Sequence, residues 1–160
     1  MNAIVKWGLI LGVAVEIWTY IWGFTGLYRT PTGAMIIVPL FILTQIVVLV
    51  LGLRHTAHQG RSYWPQVGAG TAMSLVAAAV IFVGAMLFTT VVFPEYFAEV
   101  RAAGEELMRA QGASEDQIAH RLGAPGSQSS LANALAGAVG TIITGFVVSL
   151  VIAIFVRQRA

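Results

Sequence analysis

"LANALAGAVGTIITGFVVSLVIAIFV", residues 131–156, contains no charged side chain. As an α-helix this stretch is long enough to cross the ~30 Å hydrocarbon core of a bilayer, which takes about 20 apolar residues. Three further runs, at 6–27, 34–53 and 67–92, are also long and apolar enough to span a bilayer. We therefore predict an all-α integral membrane protein, a four-transmembrane-helix bundle that forms a single transmembrane domain over residues 1–160.

The composition also indicates that the bilayer is the solvent of this chain. Hydrophobic residues make up 58% of it and charged residues 10%, whereas roughly a quarter of the residues in a soluble domain are charged. The formal net charge is +2, but the basic residues are scattered beside apolar runs, so we expect lipid as the partner and no nucleic acid. The chain has no cysteine, which excludes disulfides and thiolate metal ligands.

The basic residues predict an orientation. Four spans place both termini and the loop 54–66 on one side, and the turn 29–33 on the other. The first side carries Lys6, Arg54, Arg61, Arg157 and Arg159. The turn carries only Arg29. By the positive-inside rule, the N-terminus and the C-terminus are predicted to be cytoplasmic.

The long connection between the third and fourth runs is predicted to contain helices of its own. Apolar side chains recur at helical spacing within residues 94–122. Ser114 and Gln117 form a capping-box pattern that begins a second short helix. We predict an extracytoplasmic amphipathic helical hairpin over 94–122, followed by a linker at 123–130.

Three stretches carry a resemblance to a known family: "FPEYFAEV" (93–100), "GASEDQI" (112–118) and "GFVVSLVIAIFVRQ" (145–158). They resemble a family of small bacterial four-helix membrane proteins, the domain of unknown function forty-one ninety-nine. The resemblance implies this architecture and a multi-pass protein of the bacterial inner (cytoplasmic) membrane. It implies no activity, catalytic residue or cofactor.

Small residues recur every four positions in two of the spans, a pattern that lets helices in lipid approach closely. The predicted packing positions are Gly8, Gly12, Gly137, Thr141, Gly145 and Ser149. The stripe on the fourth span favours packing within the chain, and a homodimer seam remains the alternative.

Glu16 continues the row of Gly8 and Gly12, so its carboxylate is expected on the packing face of the first span. Counting inward at ~1.5 Å per residue places it at nearly the same depth as three polar side chains of other spans. These are Thr44, Gln45 and Thr144. No Lys or Arg lies at that depth, and an unpaired buried carboxylate is costly to ionise. We predict a polar layer in which Glu16 shares a proton with Gln45 or Thr44.

Two classes of function follow from this layer. The first is a small transporter-like or ligand- or proton-sensing bundle that binds a proton or cation at Glu16, because ionisable groups inside a membrane are usually functional. The alternative is a structural or accessory subunit of a larger membrane complex, in which Glu16 is a hydrogen-bonded packing element. The sequence contains no convergent catalytic set, so we expect no enzyme. We expect no metal either, since His55 and His58 supply only two ligands.

Overall fold

The computed structural model of the protein describes residues 2–57, 62–123 and 128–156. Several predicted features lie outside these ranges. They are Arg61, Arg157 and Arg159 of the predicted orientation, His58 of the histidine pair, and residues 124–127 of the linker.

Six α-helices make up most of the described chain. They are α1 (Ala3–Phe24), α2 (Pro31–Ala57), α3 (Tyr63–Leu87), α4 (Tyr96–Ala110), α5 (Glu115–Leu122) and α6 (Ser130–Val156). A 3₁₀ turn, Leu27–Arg29, joins α1 to α2, and a π-helical turn, Phe88–Val92, continues α3. The described residues contain no β-strand.

Four of these helices are long and apolar enough to cross a membrane: α1, α2, α3 with its π-helical turn, and α6. Their most apolar 18-residue windows have mean hydropathies of 1.6, 2.8, 2.6 and 2.6 in chain order. Large apolar side chains on their outer faces are exposed, and Phe155 retains 81% of its accessible surface. Such surface is stable against lipid, so the predicted four-helix membrane bundle is confirmed.

The first span ends earlier than predicted, at Phe24 instead of residue 27. Gly26 has φ +70°, in the left-handed region that glycine adopts without strain. This residue stops the helical path and leads into the 3₁₀ turn.

The predicted loop 54–66 is also shorter than expected, because α2 continues to Ala57 and α3 begins at Tyr63. A buried polar network joins the two helix ends. The Gln66 amide donates to the Leu53 carbonyl, and the Thr56 hydroxyl donates to the same carbonyl at 3.1 Å and lies 3.3 Å from the Gln66 Oε1. Gln66 and Thr56 are fully buried. Their hydrogen bonds stabilise helix where the sequence suggested a basic loop.

Helix α3 lies between α1 and α6 and packs more extensively against them than against α2. The core of the bundle consists of buried apolar side chains from α1, α2 and α3 and of Ile152 from α6. They include Leu11, Leu49, Leu53, Met73 and Ala77.

Helices α4 and α5 lie between α3 and α6 in the chain and contact each other. The predicted capping box is confirmed: the Ser114 hydroxyl accepts from the Gln117 N–H, and the Gln117 side chain accepts from the Ser114 N–H. Arg101 ties the far end of α5 to α4 by donating to the carbonyls of Leu122 and Gly123, at 3.2 and 2.7 Å.

Candidate functional site

The contact between α1 and α3 is close because two glycines of α1 face α3. A β-carbon added to Gly8 would lie 2.6 Å from Cβ of Val76, and one added to Gly12 would lie 2.6 Å from Cβ of Val80. Carbon atoms in contact are normally 3.5–4.0 Å apart. Any side chain at these two predicted packing positions would therefore force the helices apart.

Glu16 lies one turn further along the same face. Its carboxylate occupies the space beside Gly84 of α3 where any other residue would have its β-carbon, which would lie 2.7 Å from the Glu16 Oε1 and closer still to Oε2. The Oε2 atom is buried and has no hydrogen-bond partner in the described part of the chain. Buried polar atoms without partners are rare in folded proteins and call for a functional explanation.

Glu16 lines a cavity of about 350 Å³ that all four long helices enclose. This volume lies within the ~300–1,000 Å³ range of small-molecule sites. Most of the lining is apolar, and the aromatic side chains in it are Trp22, Phe41, Phe88 and Tyr96. We call this space the Glu16 cavity.

The predicted polar layer forms only in part. Gln45 lines the Glu16 cavity, but its amide Nε2 donates to the Thr141 carbonyl of α6 at 2.7 Å. The Thr44 hydroxyl donates at 2.8 Å to the carbonyl one turn earlier in its own helix, as threonine hydroxyls in helices often do. Thr44 and Thr144 are not among the residues that line the cavity. Within the described residues no hydrogen bond joins Glu16 to Gln45 or Thr44, so that prediction is wrong.

The small-residue stripe of α6 serves two surfaces. Gly145 faces α3, where an added β-carbon would lie 2.5 Å from Cβ of Ser74, and Ser149 is buried against the same helix. The other two predicted stripe positions, Gly137 and Thr141, line the Glu16 cavity. The stripe therefore packs within the chain at one end and leaves space at the other.

An aromatic cluster closes the end of the cavity near α4. Its members are Trp22, Tyr28, Phe88, Phe93 and Tyr96, with neighbouring ring centroids 4.7 to 6.2 Å apart. Sequence reasoning missed this cluster because its members come from separate elements. The π-helical turn that follows Leu87 positions part of it, and such turns frequently mark functional sites.

A polar contact fastens α4 to the turn between α1 and α2. The buried Tyr28 hydroxyl donates to one Glu99 oxygen, and the Arg29 guanidinium lies 2.8 Å from the other. The hydrogen bond from Tyr28 and then that from Arg29 hold the pKa of the Glu99 carboxyl below its usual value. We call these three residues the Glu99 contact.

This contact predicts that α4 loosens at acid pH. Because the pKa of Glu99 is lower in the folded protein, its stabilisation is complete above the ordinary pKa of glutamate and is lost as the pH falls through the folded value. We expect amide hydrogen exchange in residues 96–110, corrected for its intrinsic pH dependence, to accelerate several-fold over that fall. Glu99→Gln should abolish this acceleration of exchange at acid pH. Glu106→Gln, at an exposed position of the same helix, should show the same acceleration as the wild type. An unchanged acceleration in Glu99→Gln would contradict the assignment.

The described residues contain no group of three metal-ligating side chains. His55 lies in the last turn of α2, with its ring 6.3 Å from that of Trp7. In the Glu16 cavity a ligand would meet a single carboxylate, and most of the other lining residues are apolar.

A family model described as "Protein of unknown function (DUF4199)" matches residues 6–158. The match confirms the resemblance predicted from the sequence and extends it to the first span. No curated protein and no solved structure matches the chain.

Proposed function

The chain belongs to the DUF4199 family of proteins of unknown function, and we propose that it is a membrane protein that binds a proton or small cationic ligand at Glu16, as a transporter or a sensor. The observation that carries this proposal is the Glu16 cavity, in which the buried carboxylate oxygen has no partner among the described residues. A cavity of this kind with one convergent charged group is a typical binding site.

The electrostatics of the cavity favour the uptake of positive charge. No Lys or Arg is among the described residues that line it. A carboxylate removed from water is stable only when it is protonated or paired with a cation. Trp22 and Tyr96 line the same space, and aromatic rings attract cations.

We further propose that the protein lies in a bacterial inner membrane with both termini in the cytoplasm. Lys6 and Arg54 lie toward the end of the bundle where α1 begins and α2 ends. The segment with α4 and α5, which contains six acidic residues, follows the other end of α3 and would lie on the extracytoplasmic side. The positive-inside rule supports this orientation.

The test is infrared difference spectroscopy of the protein in lipid nanodiscs. The carboxyl band of Glu16 is identified by its loss in Glu16→Gln, which keeps the size and hydrogen-bonding capacity of the side chain but cannot titrate. We expect this band to change reversibly with pH and to shift in D₂O, because protons reach a binding site. Glu106→Gln, which removes an exposed carboxylate on α4, should leave this response intact.

A Glu16 band that responds neither to pH nor to D₂O would overturn the proposal and favour an accessory subunit. One observation supports that second function. Gly140 of α6 is exposed, and a β-carbon added there would meet no atom within 4 Å, so a helix of another protein has room to approach closely. Copurification of a larger complex that Gly140→Val disrupts would support this alternative.

A further inference from the structure

We infer that the ligand of the Glu16 cavity is a lipid-soluble organic amine that enters from the bilayer between α2 and α6. This inference rests on the proposed function and names the class of its ligand and the route to the site. Four features of the cavity carry it: its size, its lining, a second buried polar atom and the position of its open side.

The size of the cavity fits a molecule with a hydrocarbon body. Its volume is about 350 Å³, whereas a single water occupies roughly 30 Å³ in the liquid. The walls include Val15, Ile37, Phe41 and Ile81, against which an apolar body gains about 25 cal/mol for each Å² removed from water. A cavity of this size and lining is larger than a proton or bare ion needs.

The polar groups of the cavity do not form a cage for a metal ion. Calcium takes about six to eight oxygen ligands and magnesium about six. Here the described residues contain no group of three His, Cys, Asp or Glu side chains that could hold a metal ion. Glu16 is the one charged group among the described lining residues. A single ammonium group matches a single carboxylate.

A second buried polar atom narrows the ligand class further. Trp22 lines the same cavity, and its indole Nε1 is buried without a hydrogen-bond partner in the described chain. Trp22 follows Glu16 by six residues on α1, which is about 9 Å along the helix axis. An amine that also carries an acceptor oxygen at about this distance satisfies both side chains.

The open side of the cavity faces the bilayer. Toward α4 it is bordered by Trp22, Phe88 and Tyr96 of the aromatic cluster. Four of its lining residues are exposed: Val38 on α2, and Asn133, Ala136 and Gly137 on α6. These residues border a gap between α2 and α6, which we call the lateral mouth. Since Val38 and Ala136 present apolar surface there on two membrane-spanning helices, a ligand dissolved in lipid reaches it directly.

A second lipid-facing space provides the matched control. A groove of about 520 Å³ between α1 and α3 borders Glu16 from its other side, and Ala79 lines it. Ala79 and Ala136 are both exposed alanines on membrane-spanning helices. Ala136→Trp fills the lateral mouth, whereas Ala79→Trp places the same side chain in the groove.

The experiment follows binding of an N-dansyl diaminoalkane, which has one free amine and sulfonyl acceptor oxygens, to protein in phosphatidylcholine nanodiscs. Energy transfer from tryptophan to the dansyl group gives the affinity and, by stopped flow, the association rate. Its N-acetyl derivative is the neutral control. We expect binding of the amine that Glu16→Gln weakens at least tenfold, a loss of about 1.4 kcal/mol, and no comparable binding of the acetylated probe.

The route is tested by the rates. We expect Ala136→Trp to slow association by about tenfold or more, as blocking an entry step does, and Ala79→Trp to leave the rate unchanged. Val38→Trp fills the lateral mouth from the α2 side. It replaces Ala136→Trp in this test if Ala136→Trp does not fold. Equal rates in all variants, or slowing by Ala79→Trp alone, would overturn the route. A Glu16 band that responds to pH without Glu16-dependent binding of the amine would overturn the ligand class while the proposed function stands.

Discussion

Replacing Gly145 with valine is expected to destabilise the bundle by about 3 kcal/mol, the upper part of the range for overpacked sites. A β-carbon at this position would already lie 2.5 Å from Cβ of Ser74 and 2.9 Å from the Gln45 Nε2. Cβ of Ser74 is fixed by the backbone of α3 and cannot rotate away. Helices α3 and α6 must therefore separate, which breaks the contact that α3 shares most extensively with another helix.

The same change also removes a polar link. The displaced Gln45 amide loses the Thr141 carbonyl that it now contacts at 2.7 Å, and a buried amide without a partner costs a further 1–3 kcal/mol or so. Thermal unfolding in detergent, followed by tryptophan fluorescence, should show a melting temperature about 15 °C lower, since the two costs together are about 4–6 kcal/mol and chains of this size lose ~2–4 °C per kcal/mol.

Gly140→Val is the matched control for Gly145→Val. It makes the same substitution on the same helix, at an exposed position where a β-carbon would meet no atom within 4 Å. The isolated protein should melt as the wild type does. Equal melting temperatures for Gly145→Val and the wild type would show that α3 and α6 are not packed as closely as the structure indicates.

Replacing Gly84 with alanine is expected to weaken ligand binding at Glu16 while leaving the fold intact. The added β-carbon would take the space of the Glu16 carboxylate, including Oε1 at 2.7 Å. A glutamate side chain rotates about three bonds, so the carboxylate can move without any shift of the helices. Alanine is also the better helix former, so the stability of α3 should not fall.

The displaced carboxylate leaves the position beside Gly84 that it holds in the structure. We expect a cation or amine to bind at least tenfold more weakly, about 1.4 kcal/mol, and the infrared band of Glu16 to shift in frequency. Gly68→Ala is the matched control, because it makes the same substitution on the same helix where a β-carbon would meet no atom within 4 Å. It should leave the affinity unchanged. Wild-type affinity in Gly84→Ala would mean that the position of Glu16 against α3 is not part of the site.

These two glycines have different functions although each lies where two helices meet. At Gly145 the nearest atoms belong to the Ser74 side chain, whose Cβ is fixed by the backbone and cannot move aside. At Gly84 the nearest atoms belong to the carboxylate of Glu16, a long side chain whose end can move aside. Close approach of helices stabilises the bundle in the first case and positions a carboxylate in the second.

The sequence by itself determined the features that depend on local pattern. Apolar runs predicted four membrane-spanning helices, and the four-residue period placed Glu16 in the row of Gly8 and Gly12 that faces α3. The capping box at Ser114 and Gln117 was likewise predictable, because its hydrogen bonds join residues three apart.

Only the tertiary structure decided which partners these faces meet. Depth along a helix predicted that Glu16 and Gln45 lie near one another. In the structure the Gln45 amide donates to the Thr141 carbonyl of α6, and the Thr44 hydroxyl donates to a carbonyl of its own helix. Gly84 beside Glu16, and Tyr28 bonded to Glu99 across 71 positions of the chain, follow from how whole helices pack. Sequence periodicity fixes the face of a helix and the depth of a residue. Partners far apart in the chain are set by helix rotation and close packing, which depend on all contacts together.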